Sequence, residues 1–359
     1  MALTPVASPS TPRRVAPDVT RAIALIGVVT MNYHGSMNDL RDPDGFWQHL
    51  FHPFTGVLST RFAATFVVVA GVSVSLMAER SESGLRLRLL RRGLLLYGGG
   101  LALNHAWGGT IIFYYGAYLM IAAWIVAWSA RRLVLSAVAA MFASASLGAW
   151  LASRPEGAAR IRWIDPPRID SIADLFGRTF TGYTHPVLPW IGFFIVGMLI
   201  GRRIDAFERH AARVIVVCTS IVAVAYALVH LIRSTGADGS SVLGRFVSTE
   251  PFDRGVGYSV TTLGIAVTAL ATVSLLTRRG GRVVRRLQAA GQTTLSLYLL
   301  HVLVYYALFE WTNAIVPHGL HTALSVSAGF WIVAVFGASQ WRARLGLGPA
   351  ERVYRAIGG

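Results

Sequence analysis

Residues 21–71 read RAIALIGVVTMNYHGSMNDLRDPDGFWQHLFHPFTGVLSTRFAATFVVVAG, and this stretch decides how the rest of the chain is interpreted. Two apolar segments enclose a polar loop, and four polar side chains lie where the segments meet that loop: Asn32, His34, His49 and His52. Polar side chains in or beside hydrocarbon are costly and usually functional. We therefore expect the functional site here.

The composition predicts an all-α, polytopic integral membrane protein. The 359 residues are 54% hydrophobic and 14% charged, whereas soluble proteins carry about 25% charged residues. Since a helix needs roughly 20 apolar residues to cross a bilayer, the apolar runs predict about ten transmembrane helices. Their approximate bounds are 17–34, 57–78, 90–106, 111–129, 133–152, 186–201, 213–232, 258–277, 291–311 and 321–340.

The arginines predict the orientation. All 33 basic residues are arginine, and 23 of them fall in one set of alternate loops and termini. The positive-inside rule makes that set cytoplasmic, with both termini in it. We therefore expect a disordered cytoplasmic tail over 1–16, a membrane domain over 17–341 and a basic cytoplasmic tail over 342–359. Because the arginines do not share one soluble face, we expect no nucleic-acid partner.

The polar residues of the first loop are suited to acyl transfer. Histidine acts as a general base near neutral pH, and an asparagine amide donates to a developing oxyanion. Asn32, His34, His49 and His52 are therefore candidate catalytic residues, with anchoring at the membrane interface as the alternative interpretation. His49 and His52 with His34 also suggest metal ligands, but Pro53 interrupts any helix there and no HExxH motif is present, so we predict no metal.

Some cytoplasmic arginines are candidates for binding an anionic cofactor, because arginine binds phosphate bidentately. Four candidates lie beside predicted span ends: Arg91, Arg92, Arg202 and Arg203. His301, near the middle of the ninth span, is a further candidate for cofactor binding. The single cysteine, Cys218, excludes an intramolecular disulfide and a cysteine-based metal site.

Four segments resemble the transmembrane acyltransferase superfamily, which includes the heparan-alpha-glucosaminide N-acetyltransferase and bacterial DUF418/YeiB-like membrane proteins. They are Asp18–Asn32, similar to the family's D-x-x-R first span; Arg61–Leu76, similar to its F-x-x-G-x-S second span; His185–Arg202; and Leu287–His301, similar to its late G-x-x-S-L-x-x-Y-x-x-H. The sequence departs from the family pattern at Ala22, where glycine is usual, and lacks an acidic residue early in the second span.

The resemblance implies an acyltransferase of a bacterial cytoplasmic membrane. It moves an acyl group, expected to be acetyl, from cytosolic acyl-CoA to a hydroxyl or amine of an extracytoplasmic sugar or glycolipid. The family's catalytic asparagine matches Asn32, and its catalytic histidine fits His52 best, with His49 and His34 as alternatives. The expected partners are acetyl-CoA, the acceptor and the lipid bilayer, and a homodimer stays open. The competing interpretation is a small-solute transporter without chemistry.

Overall fold

The computed structural model describes residues 14–37, 45–80, 83–155, 161, 164, 168–237 and 239–359, and every regular secondary-structure element among them is a helix. The helices are α1 Val15–Ser36, α2 Gly45–Phe51, α3 Arg61–Arg80, α4 Leu85–Ala106, α5 Ile112–Ile125, α6 Ala130–Ala152, α7 Ile172–Phe180, α8 Val187–Gly201, α9 Ile204–Arg209, α10 Ala211–Ser234, α11 Val242–Val247, α12 Val256–Thr277, α13 Arg282–Gly291, α14 Thr294–Tyr305, continued by a π-helical turn Tyr306–Trp311, α15 Gly319–Leu345 and α16 Pro349–Gly358.

Seven of these helices are long and apolar enough to cross a membrane: α1, α3, α6, α10, α12, α14 with its π-helical turn, and α15. Helices α5 and α8 are apolar but shorter. The chain is therefore a polytopic helical membrane protein, as its composition predicts. Lipid offers no hydrogen bonds to the backbone, and helices satisfy that backbone internally.

Glycines allow a close contact between the backbones of α3 and α8. A Cβ at Gly71 would collide with the carbonyl oxygen of Phe194, and one at Gly197 would collide with that of Val68. Small residues let membrane helices approach backbone to backbone, where packing replaces the hydrophobic effect. The glycines of two of the motifs quoted above therefore hold α3 against α8.

Helix α4 differs from the helix that the sequence predicts. The predicted third span begins at residue 90, whereas α4 begins at Leu85 and runs unbroken to Ala106 through Gly98, Gly99 and Gly100. Gly98 and Gly99 face open space, and Gly100 lies against the backbone of Phe113 on α5. Close packing against α5 thus offsets the low helix propensity of glycine.

Both chain ends approach the same end of the bundle. Residues 1–13 of the predicted tail lie outside the described residues, while Arg14 forms ion pairs with Asp205 and with Glu208 (3.4 Å). At the other end, the segment predicted as a basic tail contains α16. Glu351 of α16 accepts hydrogen bonds from the backbone N–H groups of Leu295 (2.8 Å) and Ser296 (3.2 Å) at the start of α14.

Candidate functional site

Asn32 lies at the centre of a buried polar network between α1 and α14. Its Nδ2 donates to Nε2 of His301 at 3.3 Å. The Nδ1–H of His301 donates to the carbonyl oxygen of Tyr298, so Nε2 keeps its lone pair for Asn32. The Tyr33 hydroxyl donates to the backbone oxygen of His301 at 3.0 Å. An amide Nδ2 carries two protons, and the Asn32 side chain also lies within hydrogen-bonding reach of the Tyr298 hydroxyl.

His34 and His52 lie close to each other, with ring centroids 6.4 Å apart. The buried His34 donates from Nδ1 to the carbonyl oxygen of Phe51 (3.0 Å), which leaves Nε2 as an unprotonated acceptor. His52 shows the opposite pattern, because its Nδ1 accepts the backbone N–H of Thr55 at 3.0 Å. In a neutral His52 ring the proton is therefore on Nε2. His49 lies exposed on α2, away from this pair of rings.

A cavity of about 530 Å³ opens at the end of the bundle where α1 begins and α3 ends. Six arginines line it, against two carboxylates, Asp18 and Glu351: they are Arg14, Arg21, Arg80, Arg88, Arg92 and Arg355. We call it the inner cavity. Its volume lies within the range of small-molecule and cofactor sites, and its charge favours an anion.

Both carboxylates of the inner cavity are already engaged. Asp18 lies 3.4 Å from Arg21 and accepts a hydrogen bond from Gln292 at 2.9 Å. Glu351 receives the N-terminal amides of α14, the position that an anion prefers on a helix. Arg92 lies under the ring of Tyr354, with its Cζ 5.2 Å from the ring centroid. The six arginines therefore outnumber the two carboxylates of the cavity, and both carboxylates already have partners.

A second cavity, of about 180 Å³, has Asn32 in its wall. The wall includes the polar residues Asn32, Thr60, Thr184 and His185. It also includes six aromatic residues, which are Phe54, Phe62, Trp107, Tyr183, Phe252 and Tyr298. We call it the outer cavity. The rings of His34 and His52 do not line it, but their chain neighbours Gly35 and Pro53 do.

His185 is a histidine of the outer cavity wall that lies just before α8. Its ring packs against Trp190 and Tyr114, with centroid distances of 4.6 and 5.9 Å. Burial lowers the pKa of His185 to about 3, and the charge of Arg254 acts in the same direction. The ring is therefore neutral at physiological pH.

The non-helical segment 107–111 lies between α4 and α5, beside Asn32's partners. The Trp107 ring packs against His301 at 5.6 Å, and the buried Thr110 accepts a hydrogen bond from the Tyr298 hydroxyl at 3.1 Å. The backbone N–H of Ile111 donates to the same hydroxyl at 3.3 Å. Irregular backbone at membrane depth is tolerated where it lines a cavity, and this segment lines the outer one.

The predicted cofactor residues separate into two groups. Arg92 lines the inner cavity, whereas Arg91 is exposed on the other side of α4. Arg202 donates to the carbonyl oxygens of Val126 and Trp128, both at 2.7 Å, at the end of α5. Arg203 is exposed after α8, and neither Arg202 nor Arg203 lines the inner cavity. His301 contacts Asn32 instead.

Sequence reasoning missed Arg21, Arg88, Tyr298 and Glu351 as site residues. Arg88 and Arg92 are four positions apart and so share one face of α4, a signal that helical periodicity provides. Tyr298 and His301 are three apart on α14 and share a face in the same way. No local pattern indicates Glu351, because its partners are on another helix.

The metal prediction rests on sequence, and the structure adds one observation. Among the described residues, no group of three or more His, Cys, Asp or Glu side chains lies in an arrangement that would hold a metal ion.

The fold and the two cavities define a polytopic helical membrane protein with a cationic inner site and an aromatic outer site. Residues 13–231 match the model of the family described as heparan-alpha-glucosaminide N-acetyltransferase, catalytic, and the chain belongs to this family. Residues 202–358 match a second family, DUF418, described as proteins of unknown function. Among curated protein sequences, none matches the chain.

The two matches divide the site. Asn32, the loop histidines and Arg92 lie within the acetyltransferase match, whereas Tyr298 and His301 lie within the DUF418 match. The hydrogen bond from Asn32 to His301 therefore joins the two matched regions into one site.

Proposed function

We propose that this protein is a membrane acetyltransferase. It takes an acetyl group from acetyl-CoA at the cytoplasmic face and transfers it to a hydroxyl or amine of an extracytoplasmic sugar or glycolipid. The observation that carries the proposal is the approach of two chemically different cavities, one cationic and one aromatic, to the same polar network at Asn32. The family match supports the reaction class.

The inner cavity is the proposed donor site. Coenzyme A carries several phosphate charges, and arginine binds phosphate oxygens through paired N–H groups. Arg88, Arg92 and Arg355 line the cavity and supply such groups. Of the four arginines predicted to bind the cofactor, we propose this role for Arg92 alone. Arg91 and Arg203 are exposed, and Arg202 donates to a backbone carbonyl at the end of α5.

The outer cavity is the proposed acceptor site. Its volume of about 180 Å³ suits the reacting end of an acceptor rather than a whole glycolipid. Aromatic faces such as those of Trp107 and Phe252 offer flat apolar surface to a sugar ring, while Thr60 and Thr184 offer hydrogen bonds. Mostly apolar walls with a few polar groups are typical of ligand sites.

In the proposed reaction, the acceptor oxygen or nitrogen attacks the thioester carbonyl carbon of acetyl-CoA, and the carbon–sulfur bond breaks. The acceptor proton passes to a histidine base and from there to the departing CoA sulfur. Asn32 donates its amide to the carbonyl oxygen as negative charge develops there. His301 holds the Asn32 amide in place by accepting its other proton, a positioning role in place of a cofactor contact.

The base is proposed to be one of the loop histidines, His34, His52 or His49. His34 is favoured, because its Nδ1–H is held by the Phe51 carbonyl and its Nε2 is free to accept a proton. His52 would have to surrender its hydrogen bond from Thr55 before Nδ1 accepted one, or act through a charged ring. Exposed His49 is the weakest of the three.

We further propose ten membrane crossings with both termini cytoplasmic. The seven long helices, the short α5 and α8, and the arginine-containing α4 together supply ten. The membrane domain is then 17–341, with cytoplasmic tails over 1–16 and 342–359, in the cytoplasmic membrane of a bacterium. This orientation puts the inner cavity on the side where acetyl-CoA is made.

Binding of labelled acetyl-CoA to the purified protein tests the donor site. Arg92→Ala is expected to raise the dissociation constant for acetyl-CoA at least tenfold, because a charge-assisted hydrogen bond contributes about 1.5–3 kcal/mol. Arg91→Ala is the matched control, with the same charge change one residue away and outside the cavity. Equal weakening by both variants, or no binding by the wild type, would contradict the proposal.

A transporter is the second candidate, because two cavities that approach from opposite ends also describe an occluded carrier. Sealed vesicles that contain the protein, loaded with labelled acetyl-CoA on one side, distinguish the two candidates. A transporter moves the labelled solute unchanged across the membrane, whereas the acetyltransferase moves the acetyl label and leaves CoA on the side of entry.

A further inference from the structure

The inner and outer cavities share two wall residues, Ile111 and Tyr298. Every other lining residue belongs to one cavity alone. The cavities therefore lie back to back, and one isoleucine and one tyrosine form the partition between them.

Tyr298 is held in this partition from several directions. Its hydroxyl donates to Thr110 Oγ1 at 3.1 Å and accepts the N–H of Ile111 at 3.3 Å. The side chain is buried, 4% exposed, and its ring packs on His301 with centroids 4.7 Å apart. Both hydroxyl contacts come from the irregular segment 107–111, which can move without breaking a helix. Helix α14, in contrast, is fixed at its start by Glu351.

We propose that Tyr298, anchored by Thr110 and the Ile111 amide, is the barrier between the two cavities and the point at which the acyl group crosses the protein. The barrier half of this inference stands on the cavity walls alone, and the crossing half rests on the proposed function. A closed barrier keeps outer water from a thioester bound in the inner cavity. Because Asn32 lines the outer cavity beside Tyr298, the carbonyl meets its oxyanion donor as it passes the ring.

Cysteine accessibility tests the barrier without any substrate. Cys218 is the single native cysteine, so Cys218→Ser gives a clean background. Ala70→Cys reports on the inner cavity and Met31→Cys on the outer one. In oriented sealed vesicles, a charged, membrane-impermeant thiol reagent is added to one side at a time. With Tyr298 present, each cysteine is expected to react from its own side alone.

Tyr298→Ala is expected to make both cysteines reactive from both sides, with at least a tenfold faster reaction from the far side. Tyr298→Phe and Thr110→Val keep the volume but remove the anchor, and each is expected to give an intermediate increase. Tyr226→Ala is the control with the same side-chain change, because Tyr226 is exposed on α10 and lines neither cavity.

Two results would overturn the barrier. One is reaction of Ala70→Cys with reagent added outside while Tyr298 is unchanged. The other is that the Tyr298 variants leave each cysteine reactive from its own side alone. If Tyr298→Ala does not fold, Tyr298→Phe and Thr110→Val decide the question, since both are nearly isosteric. A parallel measurement with acetyl-CoA is expected to show that Tyr298→Ala raises hydrolysis to acetate and CoA relative to transfer. Changed sidedness in a protein that does not bind acetyl-CoA would support the barrier and contradict the proposed function instead.

Discussion

The Asn32 amide links the two halves of the proposed chemistry, since it lines the outer cavity and bonds to His301 from a distant part of the chain. His301 accepts one Nδ2 proton, and in the proposed reaction the other turns from the Tyr298 hydroxyl to the oxyanion. The catalytic role that we propose for Asn32 therefore depends on its geometry rather than on a charge.

Asn32→Leu removes both amide protons at similar volume. The expected result is a fall in kcat of about 10²–10³-fold, the usual cost of one oxyanion donor, with little change in acetyl-CoA affinity. Steady-state kinetics with labelled acetyl-CoA measures both quantities. Met31→Leu, a neighbour that also lines the outer cavity, is the control. Equal kcat in the Asn32 and Met31 variants would remove Asn32 from the mechanism.

The loop histidines are distinguished by their hydrogen bonds. His34→Gln is expected to lower kcat by about 10²–10⁴-fold, because general-base catalysis contributes that much. His49→Gln serves as the control, since His49 is exposed on α2, and it is expected to leave kcat within about twofold of wild type. If His52→Gln abolishes turnover while His34→Gln retains it, the base is His52 and its hydrogen bonds must rearrange in the cycle.

His185 gives a pH-dependent stability. Its pKa is about 3 in the folded protein, against 6.5 ordinarily, so the unfolded chain binds a proton that the folded chain does not. The free energy of unfolding is therefore expected to fall as the pH drops from 6.5 towards 3, by up to about 1.4 kcal/mol per pH unit. Thermal unfolding in detergent at several pH values measures this, and His185→Gln should flatten the dependence. The exposed His105→Gln is the control, and equal slopes in the two variants would exclude His185 as the cause.

At the scale of the elements, α16 is a wall of the inner cavity rather than a free tail. Leu347, Glu351, Tyr354 and Arg355 line the cavity, while Val353 and Ile357 are exposed on the other face of the helix. The Ser296 hydroxyl donates to Glu351 and accepts the backbone N–H of Ala350 (2.5 and 3.1 Å). The start of α16 is thus tied to the start of α14.

Glu351→Gln weakens that connection. Because hydrogen bonds to a charged acceptor contribute about 1.5–3 kcal/mol, the variant is expected to show faster amide exchange over 349–358. Acetyl-CoA affinity should fall at least threefold, because the cavity loses an ordered wall. Hydrogen exchange and binding measure the two effects. Val353→Ala, on the exposed face, is the control, and unchanged exchange in Glu351→Gln would show that the carboxylate does not hold α16.

The sequence predicts much of the fold at this scale because apolar length is a local property. The long helices are found where apolar runs predict them. Arg91 and Arg92 look equivalent in sequence, and only packing against α16 separates them. The hydrogen bond from Asn32 to His301 joins residues 269 positions apart, and the fold of segment 107–111 depends on Tyr298. Such contacts have no local signal.

For the whole molecule, charge and cavity chemistry agree on one direction. The positive-inside rule assigns the arginine-rich ends to the cytoplasm, and the inner cavity opens among arginines at that same end. The aromatic outer cavity lies beyond Asn32 and Tyr298. The proposed reaction is therefore vectorial, since the donor enters from one side and the product forms on the other.

Vectorial acetyl transfer in sealed proteoliposomes tests this account most directly. Acetyl-CoA labelled in the acetyl group is enclosed on the cytoplasmic side, and a glucosamine-containing acceptor is supplied outside alone. We expect labelled acceptor outside, unlabelled CoA retained inside, and loss of the product in Asn32→Leu but not in Met31→Leu. Appearance of intact labelled acetyl-CoA outside, or transfer only to an acceptor on the donor's own side, would contradict it.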